Sequence, residues 1–390
     1  RLASITALKT EYLHGEASLE STISNAVRHF DKPLPLLAQE GAFGYRTITK
    51  PAASRYIYTK KLDIFSDVLP KKFSRIDGNQ TFEGTKIEPK VLTTILPLLL
   101  VNGNTGIGSG FSQNILPRSP YQIKKVIEKF LKSTSKDPYK ILENSDIKVE
   151  YPFFDGLTET EGTKTVFTGV ITKVNTSTLK ITELPIGYSL DSYIKVLEGL
   201  IDSSFITSYV DRSNKNSFEF EIKIKRTILS KLTKEQLIAK FRLTRSSTEN
   251  FVCISQENNF LELESYKDVL VIYMKFILSR YQDLKDLQIK DLEDKIFDLS
   301  EKARFIKLVI NQKIVVSNQS RDNISKQLTK NKFDEVDIYL NMRIYSLTKE
   351  KFEQLLADVE EAREELEKLK GTTIQKMYLS DLSKIKINKK

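Results

Sequence analysis

The sequence predicts an α+β chain of several structural units, and three observations carry that prediction. Between residues 119 and 265, short helical segments mix with runs of period-two alternation. After Ser265 the apolar residues change to a three-and-four spacing held over long stretches, the pattern of a coiled coil. At 390 residues the chain is too long for one simple core and suggests two to four units.

Composition narrows the function classes. The longest apolar run, "ILPLLLV" (95–101), falls far short of the roughly 20 residues that span a bilayer, so no membrane partner is expected. The first residues alternate apolar and polar, unlike a signal peptide. The chain opens on Arg1 rather than Met, so its natural beginning is expected to be missing. A single cysteine, Cys253, excludes an internal disulfide and a thiolate-rich zinc site, and two histidines, His14 and His29, exclude most His-based metal centres. No metal-ligand set is expected in the chain. The cysteine usage fits a reducing compartment, cytoplasmic or nuclear. A net charge of +10 points to a polyanionic partner, nucleic acid first, although a solvated basic surface accounts for the charge equally well.

In chain order, residues 3–30 read as two short helices around "YLHGEAS". The second, Ala17 to Phe30, sets Leu19, Ile23, Ala26, Val27 and Phe30 on one side. Helix, Gly-containing turn, helix is the plan of a helix-turn-helix, and equally of two packed helices. "LAQEGAFGYRTITKPAASRY" (37–56) reads as a loop with Arg46, Lys50 and Arg55 spaced along it, which suits close approach to a phosphate backbone or an ordinary surface loop.

"PLLLVNGNTGIGSGFSQNILP" (97–117) is an apolar run followed by glycines at 103, 106, 108 and 110. It matches neither phosphate-cradling glycine motif, so no nucleotide site is read here. Ile107 stands between two glycines, where an apolar side chain either packs a turn or wedges into a base step. "TVFTGVITKV", "TLKITEL" and "FEFEIKIKR" read as strands, with Lys223, Lys225 and Arg226 giving basic faces. Ile289, Leu292, Ile296, Leu299, Ala303, Ile306 and Ile310 form one helical seam, and Phe352, Leu355, Val359, Ala362, Leu366 and Leu369 a second. The apolar patches of 311–351 between them suggest a knob at the tip of an arm that meets a partner.

Six motifs then occur in order: "YLHGEASL", "GAFGYRT", "AASRYIYTKK", "ILPLLLVNGNTGIGSGF", "ITELPIG" and "KARFIKLVI". Together they resemble the DNA breakage–reunion region of type IIA DNA topoisomerases, from about residue 3 to 382. "HGEASL", "ASRYIYT" and "GIGSG" are more similar to the eukaryotic and T-even-phage branch, including the phage medium subunit, than to bacterial gyrase.

The resemblance implies a winged-helix-like domain at 1–118, an α/β tower domain at 119–265, and at 266–390 a long antiparallel coiled coil with a small helical exit-gate domain that dimerises. It implies that Tyr56 is the nucleophile joined to a DNA 5′-phosphate, with Arg55 and His14 assisting at the phosphate. A phenol, with a pKa near 10, needs such help, and a fixed guanidinium suits charge building on phosphoryl oxygens. Tyr58 is expected to pack or support. Arg46 and Lys50 are expected to line the DNA path, and Ile107 to wedge into bent DNA. Double-stranded DNA and a second copy of the chain are the implied partners. The chain carries no ATPase signature and no toprim-like acidic set, and "DLEDKIFD" (291–298) reads as a solvated face. Mg²⁺ and ATP are therefore implied to be held by toprim and ATPase parts on other subunits or in a missing N-terminal half.

Three departures from the family pattern stand out. A further catalytic arginine of the family would lie before residue 1, so this stretch alone is expected to be inactive. Gln39-Glu40 replaces Gly-Gln and brings a carboxylate near the DNA path, and Pro51 stiffens the approach to Tyr56. A second reading, a non-catalytic coiled-coil DNA-binding or architectural protein, shares the basic loops and heptads but has no use for an Arg-Tyr pair in a small-residue loop.

Overall fold

The computed structural model describes residues 1–12, 14–134, 137–143, 145–255, 259–342 and 347–388. The chain divides into two compact units, Arg1–Leu278 with Tyr378–Lys390, and Ser279–Met377.

In the first unit, helices Leu2–Thr10 and Glu16–Val27 are the expected pair, separated by a turn that includes Glu11 in the left-handed conformation (φ 50°). The second helix stops at Val27, three residues early. Arg28 takes ψ 128°, and Ser24 rather than Ala26 is buried. His29 is structural: its ring nitrogen lies 2.7 Å from the carbonyl oxygen of Leu37. An exposed hairpin pairs Asn79–Phe82 with Thr85–Pro89. Its two-residue turn, Glu83-Gly84, has both φ positive, as a tight hairpin requires.

The glycine-rich stretch forms a second hairpin, Asn104–Gly108 against Phe111–Ile115, so its glycines lead into a strand and not into the helix that a phosphate cradle would need. Pro120–Lys132 follows, with proline in its first turn and Ile123, Val126, Ile127 and Leu131 buried at helical spacing.

Two antiparallel sheets follow. One orders its strands Val170–Lys173, Thr178–Glu183, Phe220–Lys223, Ser208–Asp211; the other Thr244–Thr248, Lys164–Thr168, Leu157–Glu161. The first sheet and helix Leu190–Asp202 share one core, in which Tyr193, Leu197, Phe218, Phe220 and Ile222 are fully or almost fully buried. A reciprocal Ser189–Ser192 cap starts that helix. "TVFTGVITKV" is two strands in two sheets rather than one. A Cβ at Gly169 would lie 2.3 Å from the Glu183 carbonyl oxygen, so the chain crosses there only without a side chain. Lys225 and Arg226 also depart from expectation. The strand ends at Lys223, Lys225 caps the short helix Arg226–Leu229, and Lys223 pairs with Glu221.

Tyr266–Ile310 is one 45-residue helix that starts in the first unit. In the second unit it pairs with Lys349–Gly371. Lys285 bonds the carbonyls of Lys370 and Thr372, whereas Ala303 and Ile306 share a core with Leu355, so the two helices run antiparallel. Leu355, Val359, Ala362 and Leu366 are buried as the seam predicts. The first seam ends one turn early: Ile310 is 41% exposed because the helix stops there and Ile314 takes the core position. The expected knob packs Ile314, Leu328, Phe333 and Tyr339 into the same core as Ala303, Ile306 and Leu355 of the two helices. Val315 and Ile338 remain exposed. Residues 343–346 of its apolar patch lie outside the described residues.

The division at 119 and 266 differs from these units. Residues 1–118 and 119–265 fall in one compact body, and Tyr378–Lys390 belongs to it as well. Tyr378 donates to Ile95 O at 2.9 Å, Lys124 donates to Ile385 O at 2.7 Å, and Asp381 pairs with Lys72.

Candidate functional site

Residues 36–62 form a long irregular hairpin. Its arms are joined by Ala38 N–H to Lys60 O (2.8 Å), paired bonds between Glu40 and Tyr58 (2.8 and 3.1 Å), and Leu62 N–H to Leu36 O (3.0 Å). One 3₁₀ turn, Ser54–Tyr56, sits on the returning arm, closed by Tyr56 N–H to Ala53 O at 2.9 Å. The Tyr56 side chain is 66% exposed, and the Arg55 guanidinium lies over its ring at 4.8 Å. Such a cation–ring contact keeps a positive charge beside the phenol. Ala53 and Ser54 are exposed and small, so nothing bulky precedes the pair.

Tyr58 does not pack: its ring is 67% exposed, and only its backbone supports the hairpin. The unexpected Glu40 carboxylate is matched by Lys60 at 2.7 Å, and that hydrogen bond raises the lysine's pKa.

Gly41 holds the turn from behind. Its φ is 104°, and a Cβ there would lie 3.0 Å from Ile57 Cγ2 and 3.2 Å from the Tyr56 carbonyl oxygen. Gly41→Ala is therefore expected to displace residues 56–57. Misplacement of a reacting group on the ångström scale costs on the order of 10²-fold, to be read as the rate of covalent protein–DNA formation.

Arg46 requires a correction. Expected along a DNA path, it is 4% exposed. Its guanidinium donates to Leu184 O (2.7 Å), Tyr188 O (3.1 Å) and Glu183 Oε1 (3.3 Å), and lies 4.8 Å from the Phe218 ring. Thr47 adds bonds to the carbonyls of Asn214 and Lys215, both at 3.0 Å. The Arg46–Thr47 segment is thus the anchor of the loop, and its cation is spent on the protein. Burial dominates the pair: it pushes the Arg46 pKa down and the Glu183 carboxyl up despite their contact.

The other expected residues stand on separate elements. Lys50 is exposed on the loop, between the anchor and the tyrosine. His14 is exposed in the turn before the second helix, its ring edge-on to Tyr12 at 5.3 Å. Ile107 is 92% exposed near the tip of the hairpin 104–115. Only Arg55 and Tyr56 are brought into direct contact.

Sequence reading missed a cavity of about 730 Å³ whose walls include Arg28, Lys32, Asn104, Thr105 and Arg245. Arg245 donates to Gly187 O at 2.8 Å and covers the Tyr188 ring at 4.6 Å; Arg28 and Lys32 flank Asp31 at 2.7 and 3.6 Å. Arg28 and Lys32 follow the second helix, where a basic cluster is legible, but no local signal links Arg245 to them.

Among the described residues, no group of three or more His, Cys, Asp or Glu side chains could hold a metal ion. Those residues do not fit the implied Mg²⁺. Among those residues, no helix is long and apolar enough to cross a membrane.

Comparison with known proteins gives the context for this geometry. The A-subunit family of DNA gyrase/topoisomerase IV matches residues 2–388. DNA topoisomerase 2 of Plasmodium falciparum is 29% identical over 95% of this chain and 29% of its own length. The DNA topoisomerase medium subunit of Enterobacteria phage T4 is 29% identical over 96% of this chain and 84% of its own length. The crystal structure of the Plasmodium falciparum topoisomerase II DNA-binding, cleavage and re-ligation domain superposes with a TM-score of 0.85. That match has 28% identity and covers 98% of this chain and 56% of that one. The chain thus spans about three tenths of the first eukaryotic relatives and most of the phage protein. With a single family model running unbroken through both compact units, the chain belongs to the DNA gyrase/topoisomerase IV A-subunit family, the breakage–reunion family of type IIA topoisomerases.

Proposed function

We propose that this chain performs the DNA breakage and resealing of an ATP-dependent type II DNA topoisomerase. The observation that carries the reading is the exposed Tyr56 with Arg55 over its ring, set behind small residues on an anchored loop. The Tyr56 oxygen bonds to a backbone phosphorus as the bond to the 3′ oxygen breaks. The phenol loses its proton and the 3′ oxygen gains one. Arg55 faces the charge that builds on the non-bridging oxygens, and His14 donates a hydrogen bond to the same phosphate. The phosphotyrosine bond conserves the energy of the broken linkage, so resealing needs no nucleotide. Two copies of the chain, joined through the 311–351 region, cut opposite strands. A toprim part supplies Mg²⁺, and an ATPase part drives strand passage. Lys50 and the Arg28–Lys32–Arg245 cavity contact the DNA backbone, and Ile107 enters the bent segment. The setting is the host cytoplasm for a phage enzyme, or the nucleus for a eukaryotic one.

The test combines the assembled protein, including its toprim part and Mg²⁺, with duplex labelled at either end and trapped with denaturant. Protein attached to the 5′ side of the break is the expected result. DNA bound and bent with no adduct in any condition would support the architectural alternative.

Affinity should also fall steeply with salt, with a log–log slope of about −0.9 for each phosphate contacted. A titration that is flat between low and moderate salt would remove the basic loop from the DNA path.

A further inference from the structure

Ile107 is carried by a hairpin of two five-residue strands, and a lone two-stranded hairpin is marginal in water. An exposed side chain on such a support would not hold one position. The structure supplies a brace, the second hairpin Phe251–Ile254 with Phe260–Leu263.

The two hairpins are joined at the base by reciprocal bonds of Asn114 and Asn250, at 2.8 and 3.1 Å. Asn114 Nδ2 donates to Thr248 O at 2.7 Å, and Asn250 Nδ2 to Ser112 O at 2.6 Å. Higher up, the Gln113 amide donates to the Val252 carbonyl. Nearest the tip, the Phe111 and Phe260 rings stack with centroids 4.2 Å apart and planes within 10°. Phe111 pairs across the hairpin with Gly108, the residue after Ile107. Phe260 stays 56% exposed, so the stack fills no core. What it fixes is the tip.

We infer that Phe260 is a positioning residue for Ile107: by stacking on Phe111 it holds the hairpin tip at the angle from which Ile107 enters duplex DNA. The inference rests on the reading of Ile107 as a wedge, and the variants separate the two.

The experiment measures the bent fraction of an end-labelled duplex by energy transfer, and maps cleavage positions, with the assembled protein. Phe260→Ala is expected to lower the bent fraction about threefold to tenfold, the range an aromatic pair is worth, and to spread cleavage over more positions. Phe260→Tyr keeps the ring and should behave as the wild type; Phe260→Leu, which fills space without stacking, should resemble Phe260→Ala. Ile107→Ala should lose at least as much bending, and adding Phe260→Ala to it should cost nothing further.

A thermal midpoint measured for each variant separates this from a folding loss. Phe260→Ala indistinguishable from wild type, with Ile107→Ala defective, would overturn the inference and keep the wedge. An equal loss from Phe260→Ala in the Ile107→Ala background would overturn it too, since Phe260 would then act on its own. Unchanged bending in Ile107→Ala would remove both the inference and the wedge, while leaving the Tyr56 adduct to stand or fall separately.

Discussion

Tyr56→Phe abolishes the covalent protein–DNA adduct, by at least about 10⁴-fold, while DNA affinity stays within about twofold. The substitution removes one oxygen. Among the described residues the Tyr56 hydroxyl has no hydrogen-bond partner in the chain, and the ring is exposed, so its loss leaves the fold unstrained. The 3₁₀ turn is closed by the backbone, which the substitution does not alter. Tyr58→Phe is the matched control. Its ring is equally exposed two residues on, but among the described residues no guanidinium lies over it, and it should form adduct as the wild type does. The measurement is denaturant-trapped adduct on end-labelled duplex. If Tyr58→Phe lost the adduct and Tyr56→Phe kept it, the nucleophile would be the other tyrosine of the loop.

Arg46→Ala has the largest expected effect on stability, about 3–5 kcal/mol, because it leaves the buried Glu183 carboxylate without its counter-charge. Several main-chain carbonyls around Leu184 and Tyr188 lose their donor at the same time. Arg46→Lys should recover only part of this, since one ammonium cannot reproduce a fork that reaches four residues. Denaturant unfolding reads the loss. Were Arg46 instead a DNA contact, its removal would leave stability unchanged and reduce the salt slope by about one phosphate.

The pH dependence has a definite sign. The Glu183 pKa is raised in the folded chain, so its contribution favours folding most below the ordinary carboxylate range. That contribution declines as pH rises towards the folded value. Glu183→Gln should flatten this part of the stability profile.

Much of the architecture was legible because its causes are local. The two seams are spacings within single helices, and the strands around 165–183 and 220 are alternations within a few residues. The exposure of Ile107 follows from a turn that Gly110 closes at φ 80°. The Arg55–Tyr56 pair was visible as neighbours in a small-residue run. Two of the misreadings share one cause. Arg46 looked like any spaced cation, and its partners lie some 137–142 residues further on. Gly169 looked like a residue within one strand, and only the approach of Glu183 shows that it separates two sheets.

By itself the sequence determined the family, the periodicities that make helices and strands, and the tyrosine with its adjacent guanidinium, since these depend on residue type and short-range order. Only the tertiary structure decided which cations face solvent, where the sheets divide, that Tyr378–Lys390 belongs to the first unit, and that a second hairpin stacks on the one that carries Ile107. Burial and ion pairing are set by groups far apart in the chain, and no local pattern encodes which of them will meet.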